Sequence, residues 1–217
     1  DWIKNGRQGA FEVNNFTSPA FVARVNYHGV KGLRVGASFY YNQTAKNGTK
    51  PWRNTGYKFP VTIVTGDLQY KGFNNNLIVR GNAVYGNLGA SGALTTINNS
   101  SSAASGYPNT TVAQNAVSYG GEAGYNIGSF FHSKAPRIYP FIRYEYYNPM
   151  EKAEANTGLL ADKRFQVSAV TAGLNYYALP NLVIKADYTH RSIGGGKYND
   201  ENLVSVGIAY IGWFIKK

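Results

Sequence analysis

Two stretches toward the C-terminal end of the chain alternate with a period of two. Residues 182–191 read Leu-Val-Ile-Lys-Ala-Asp-Tyr-Thr-His-Arg. Leu182, Ile184, Ala186 and Tyr188 are apolar or aromatic, whereas Lys185, Asp187, Thr189 and Arg191 are polar or charged. The last stretch sets Val204, Val206, Ile208, Tyr210 and Phe214 against Ser205, Gly207 and Ala209. Successive side chains of a strand point to opposite faces, so each stretch has one apolar face and one polar face. Each is about the ten residues that a tilted strand needs to cross a bilayer. The pattern predicts an all-β, antiparallel transmembrane β-barrel with hydrocarbon outside and polar groups within.

Composition permits this and removes several alternatives. No run of ~18 apolar residues occurs, so helical membrane spans are excluded, a test that a barrel escapes because only every second residue meets lipid. The chain has no cysteine, which rules out disulfides, thiolate metal sites and a cysteine nucleophile. Its 22 Lys and Arg against 11 Asp and Glu leave a formal charge of +11. A nucleic-acid protein would gather such charge on one face or helix. Here basic residues recur singly at polar strand positions, so no nucleic-acid partner is expected. The chain starts at Asp1 with neither Met nor a signal-peptide pattern. The expectation is that a leader was removed or that the protein's start is missing.

Read in order, residues 1–19 form an extracellular loop or short strand, and strands fill 20–214, followed by a tail at 215–217. The expected strands are 20–28, 33–42, 61–71, 76–86, 116–128, 137–147, 165–177, 182–191 and a last one ending at Phe214. Phe21, Val35, Tyr70, Val79, Tyr119, Ile142 and Leu174 fall on the apolar side. Ile127 is expected to face lipid at the end of the fifth strand. Pro140 suggests a bulge or the start of a strand. Gln166 and Ser168 fall out of pattern upstream of Val170 and suggest a bulge or late membrane entry.

The connections alternate in length: residues 43–58, 87–115, 148–164 and 192–202 are long, and those between are shorter. Short periplasmic turns and long extracellular loops are the habit of outer-membrane barrels. Asn98-Asn99-Ser100-Ser101-Ser102 makes 87–115 low in complexity, unable to bury a core of its own, and it is read as a surface loop rather than one that folds inward. Tyr27, Tyr70, Tyr176 and Phe214 end strands at one rim, and Phe39, Tyr41, Tyr85 and Tyr146 at the other, as interfacial aromatics do. Nine strands cannot close an all-antiparallel barrel, since the first and last run the same way. Either residues 9–16 supply a further strand or upstream strands are absent from this chain, and the second is the reading taken, with about nine to ten strands present here.

Several passages resemble bacterial outer-membrane porins of the phosphate-selective porin O and P type. They are Ser18-Pro19-Ala20-Phe21-Val22-Ala23-Arg24-Val25-Asn26-Tyr27, Gly32-Leu33-Arg34-Val35-Gly36-Ala37-Ser38-Phe39-Tyr40-Tyr41, and Tyr139-Pro140-Phe141-Ile142-Arg143-Tyr144-Glu145-Tyr146-Tyr147. The strongest is Ala172-Gly173-Leu174-Asn175-Tyr176-Tyr177, running through Pro180-Asn181 to Lys185-Ala186-Asp187-Tyr188. The resemblance implies the C-terminal half of a barrel of roughly 16–18 strands, within the span of known outer-membrane barrels, and a homotrimer. It also implies a channel for ions and small hydrophilic or anionic solutes. Phosphate-selective members line the pore with arginines and little opposing charge, whereas carboxylates are mixed in here. Ile215, Lys216 and Lys217 also follow the terminal aromatic at which such chains normally stop.

The expected pore lining is Arg24, Arg34, Arg80, Arg143, Lys185 and Arg191 with Asp67, Glu122, Glu145 and Asp187. Six cations against four carboxylates give a weak anion preference, because wall charges set a pore's field. The same groups could serve only as cross-strand ion pairs. Lys46, Lys50, Arg53 and Lys58 could meet lipopolysaccharide phosphates or simply be solvated. His28, His132 and His190 are scattered, so no metal site or cofactor is expected. The alternatives to a porin are a non-conducting structural or adhesive barrel in a larger envelope complex, and a barrel-embedded enzyme using His190 and Ser205. No catalytic residue is assigned.

Overall fold

The computed structural model describes residues 19–44, 58–100, 111–131, 136–155 and 157–210. Nine antiparallel strands form one sheet in strict sequence order. They are β1 (Phe21–Tyr27), β2 (Leu33–Thr44), β3 (Phe59–Gly72), β4 (Leu77–Leu88), β5 (Asn115–Tyr125), β6 (Arg137–Lys152), β7 (Val167–Leu179), β8 (Leu182–Ile193) and β9 (Asp200–Tyr210). A helix, α1 (Ser91–Ser100), lies between β4 and β5. Among the described residues β1 and β9 are the two edges of the sheet.

Directly opposed residues share a face in an antiparallel ladder, so the register sorts every strand. One face carries Val25, Ala37, Leu68, Tyr119, Ile142, Leu174, Ile184 and Val206, the other Arg24, Asp67, Arg80, Glu122, Arg143 and Lys185. Neither face is a conventional core. Ile184 is 38% exposed, Tyr188 48% and Val206 75%, on the face that a soluble sheet would bury. An apolar surface of this extent needs a covering layer.

Most of the buried apolar side chains gather at one end of the sheet. Phe59, Leu88, Ala113, Ala116, Met150, Ala153 and Val167 are enclosed there together with Ser91 and Thr95 of α1. Thr95 Oγ1 donates to the Ser91 carbonyl (2.9 Å) and accepts from the N–H of Val112 (2.9 Å), which ties the helix to the chain returning into β5. The N–H of Gly92 donates to Glu154 Oε2 from the link after β6. Residues 87–115 were expected to be coreless; instead the segment holds a ten-residue helix with two fully buried side chains.

Two other expectations change. β5 stops at Tyr125, and Ile127 sits in a 3-10 turn rather than facing lipid from a strand. Asn126 ends the ladder: its side chain takes the N–H of Ile138 (3.0 Å) and donates to Asn76 (3.0 Å). Upstream of Val170 the register runs unbroken, with Ser168 between Tyr146 and Ser192, and Gln166 lies outside the strand. The β7 irregularity falls instead at the other end, between Tyr177 and Leu179. Pro140 is near the start of β6, one residue before the last β5 pair, Gly124 with Phe141, so its missing N–H costs no ladder bond there. Phe214, Lys46, Lys50, Arg53, His132 and residues 1–18 lie outside the described residues.

Candidate pore wall

All ten side chains expected to line a lumen fall on the polar face, and the register adds an arrangement that alternation could not show. Arg34, Gln69, Arg80, Glu122, Arg143, Thr171 and Thr189 form one continuous row across β2 to β8. The adjacent row carries Asp67, Asn82, Gly120, Glu145, Ala169, Arg191 and Glu201. Most of the polar face's charge is therefore held in a belt two rows deep.

Three clusters make up the belt. Arg24 reaches over β2 to Asp67 Oδ2 (2.7 Å) while bonding Ser38 (2.9 Å) and Asn26 (3.0 Å), and Arg34 approaches the other Asp67 oxygen at 3.8 Å. Gly36 makes this crossing possible, since a Cβ there would overlap the guanidinium of Arg24 and the carboxylate of Asp67. In the second cluster Glu122 lies between Arg80 (3.1 Å) and Arg143, whose Nε and Nη2 both reach Oε2 at 3.0 and 2.8 Å. Glu145 stands 3.9 Å from Arg143. In the third, Arg191 bonds Glu201 (2.6 Å) and the hydroxyl of Tyr147 (3.2 Å).

Lys185 and Asp187 are on the same face but join none of these clusters; they oppose Gly207 and Ser205 on β9. Glu201 was missed because β9 begins at Asp200, upstream of its expected start, so that a residue assigned to the 192–202 link continues the odd-numbered series of Leu203 and Ser205. Lys71 and Arg137 were missed likewise, although each continues the parity of its strand. With these three added, the regularly paired strands hold eight cations and five carboxylates on the polar face, a surplus of three. Most of these groups remain partly solvated, where an ion pair contributes about 0–1 kcal/mol. Their effect on a nearby charge comes from the field rather than from stability.

His190 and Ser205 are not neighbours. His190 opposes Asn202 on the apolar face, and Ser205 opposes Asp187 on the polar face. The hydroxyl close to His190 is that of Ser192, two residues on, at 3.4 Å from Nε2, but Ser192 donates its proton to Asp200 Oδ1 at 2.6 Å. Asn202 Oδ1 in turn meets Tyr188 OH (2.7 Å) and His190 Nδ1 (2.9 Å). This polar network marks where the apolar face ends at the α1 end of β8 and β9. Among the described residues no three His, Asp or Glu side chains converge as a metal site would require.

No protein-family model matches the chain, and no characterised protein is similar enough to count as a relative.

Proposed function

We propose that this sheet is part of the wall of an outer-membrane β-barrel that passes small hydrophilic solutes by diffusion, with a weak anion preference. The observation that carries the reading is the sorting of the two faces. Exposed aliphatic and aromatic side chains cover one, and a belt of partly solvated charge crosses the other. Lipid satisfies the first and water the second, the inside-out arrangement of a pore wall. The passages similar to porins of the phosphate-selective porin O and P type support a trimeric pore of this kind. The carboxylates among the arginines favour weak anion preference over phosphate selectivity.

In this reading the short turns face the periplasm and the long links the exterior. Transport needs no chemistry from the wall, only width and field. Planar-bilayer recording of the purified protein tests it: discrete conductance steps are expected. Silent bilayers would overturn the pore and leave a structural or adhesive barrel. Reversal potentials in a salt gradient are expected to favour anions modestly, and Arg80→Glu or Arg143→Glu to weaken or reverse that preference. Cation preference in the unaltered protein would overturn the weighting given to the arginines.

A further inference from the structure

The second cluster of the belt borders a depression of about 250 Å³ on the polar face, lined by Arg80, Asn82, Glu122, Arg143 and Glu145 over the bare backbone of Gly120. Gly120 occupies the place between Asn82 and Glu145 in its row, so no side chain fills the floor. A Cβ there would come within 2.9 Å of the Tyr144 carbonyl and 3.4 Å of Glu145 Cγ. Two guanidiniums and two carboxylates surround the depression, and their formal charges cancel.

The groups left over from these ion pairs are nevertheless separated. Arg80 spends only Nη1 on Glu122, and its Nε and Nη2 have no hydrogen-bond partner among the described residues; nor has the carboxamide of Asn82. On the opposite side Glu145, among the described residues, has only a loose 3.9 Å approach to Arg143. The donors of β4 and the carboxylate of β6 thus flank the floor across one intervening strand, about 10 Å at the usual spacing. From this geometry we infer that the depression is a binding site for a free α-amino acid, whose carboxylate meets Arg80 and Asn82 and whose ammonium group meets Glu145. A solute with no net charge but separated ends matches a wall with no net charge whose spare donors and loosely held carboxylate stand apart. Inorganic phosphate would gain Arg80 at the cost of facing Glu145 and Glu122, and a cation would meet the converse.

This site deepens the pore reading and rests on it for transport, but binding can be measured without conduction. The full chain is reconstituted in liposomes, and swelling is followed with alanine, with the uncharged lactamide of similar size, and with phosphate. Alanine entry is expected to exceed lactamide entry and to saturate, and Arg80→Gln and Glu145→Gln each to lower the alanine-to-lactamide ratio several-fold. Asn82→Ala gives the same readout if either charge variant fails to fold. Equal, unsaturated entry of alanine and lactamide, phosphate entering faster than alanine, or a ratio unmoved by the variants would overturn the site while leaving the pore intact. If nothing enters, the pore reading fails. Equilibrium binding of radiolabelled alanine to the detergent-solubilised protein then decides the site alone: saturable binding lost in Arg80→Gln upholds it, and no saturable binding overturns it.

Discussion

Glu122 accepts from two guanidiniums at once, so replacing it changes more than one charge. Glu122→Gln would leave Arg80 and Arg143 with a neutral partner between them and raise the local field of the polar face. The reversal potential should then move toward stronger anion preference, opposite in sign to the effect of Arg143→Glu. An unchanged potential in both variants would remove this cluster from the selectivity of the wall. Asp162 lies in the link between β6 and β7. The side chain of Arg164 bonds it at 2.6 Å and the N–H of the same residue at 2.9 Å, and together they hold its carboxyl below the ordinary value. A lowered folded pKa means that the contact is fully formed above the usual carboxylate range and is lost as pH falls through the lowered value. The carboxyl carbon resonance of Asp162 should therefore titrate at lower pH than that of a free aspartate, and Arg164→Gln should move it back up. A midpoint already at the free value would exclude the clamp.

Elements differ in how openly the sequence announced them. The β7–β8 hairpin was legible because Leu174, Tyr176, Ile184 and Ala186 alternate without interruption and Pro180 marks the turn. β6 is longer than the expected 137–147, since residues 148–152, assigned to the charged link, continue the strand to Lys152 through an irregularity opposite β5. α1 was invisible for another reason: Ser91–Ser100 has few strong helix formers and a polar end, and tertiary contacts such as those of the buried Thr95 and the carboxylate of Glu154 help hold it in place. The charge belt could not be read at all without register, since parity gives a face and not a row. Two predictions belong here. Glu154→Ala removes a negative charge from the N-terminus of α1, an interaction typically worth about 0.3–1 kcal/mol, and amide exchange at Gly92–Thr95 should quicken while β4 and β5 keep their protection. Ala186→Lys puts a charge on the apolar face between Leu174 and Val206. If that face meets hydrocarbon near mid-membrane, unfolding from liposomes in urea should show a loss of ~2–4 kcal/mol. Lys185→Ala, one position away on the other face, should cost far less; equal losses would contradict the assignment of faces.

At the scale of the molecule, strand direction limits what can complete the sheet. β1 and β9 run the same way, so neither can close on the other in antiparallel fashion, and a second upright copy would likewise present a parallel edge. An all-antiparallel wall closes only through an odd number of strands beyond these nine. Direction also fixes which connections share an end of the sheet. The β1–β2 turn and the β8–β9 link lie at opposite ends of the sheet, because the first follows a strand running one way and the second a strand running the other. Val30 in the turn is 49% exposed and Tyr198 in the link 83% exposed, and the chain has no cysteine of its own. Single Val30→Cys and Tyr198→Cys variants therefore report each end without background. With long links outward, a membrane-impermeant maleimide added to intact cells should label Tyr198→Cys at once. Val30→Cys should react only after the outer membrane is permeabilised. Labelling in the reverse order would invert the wall in its membrane, and equal labelling of both in intact cells would mean that this sheet does not separate two compartments.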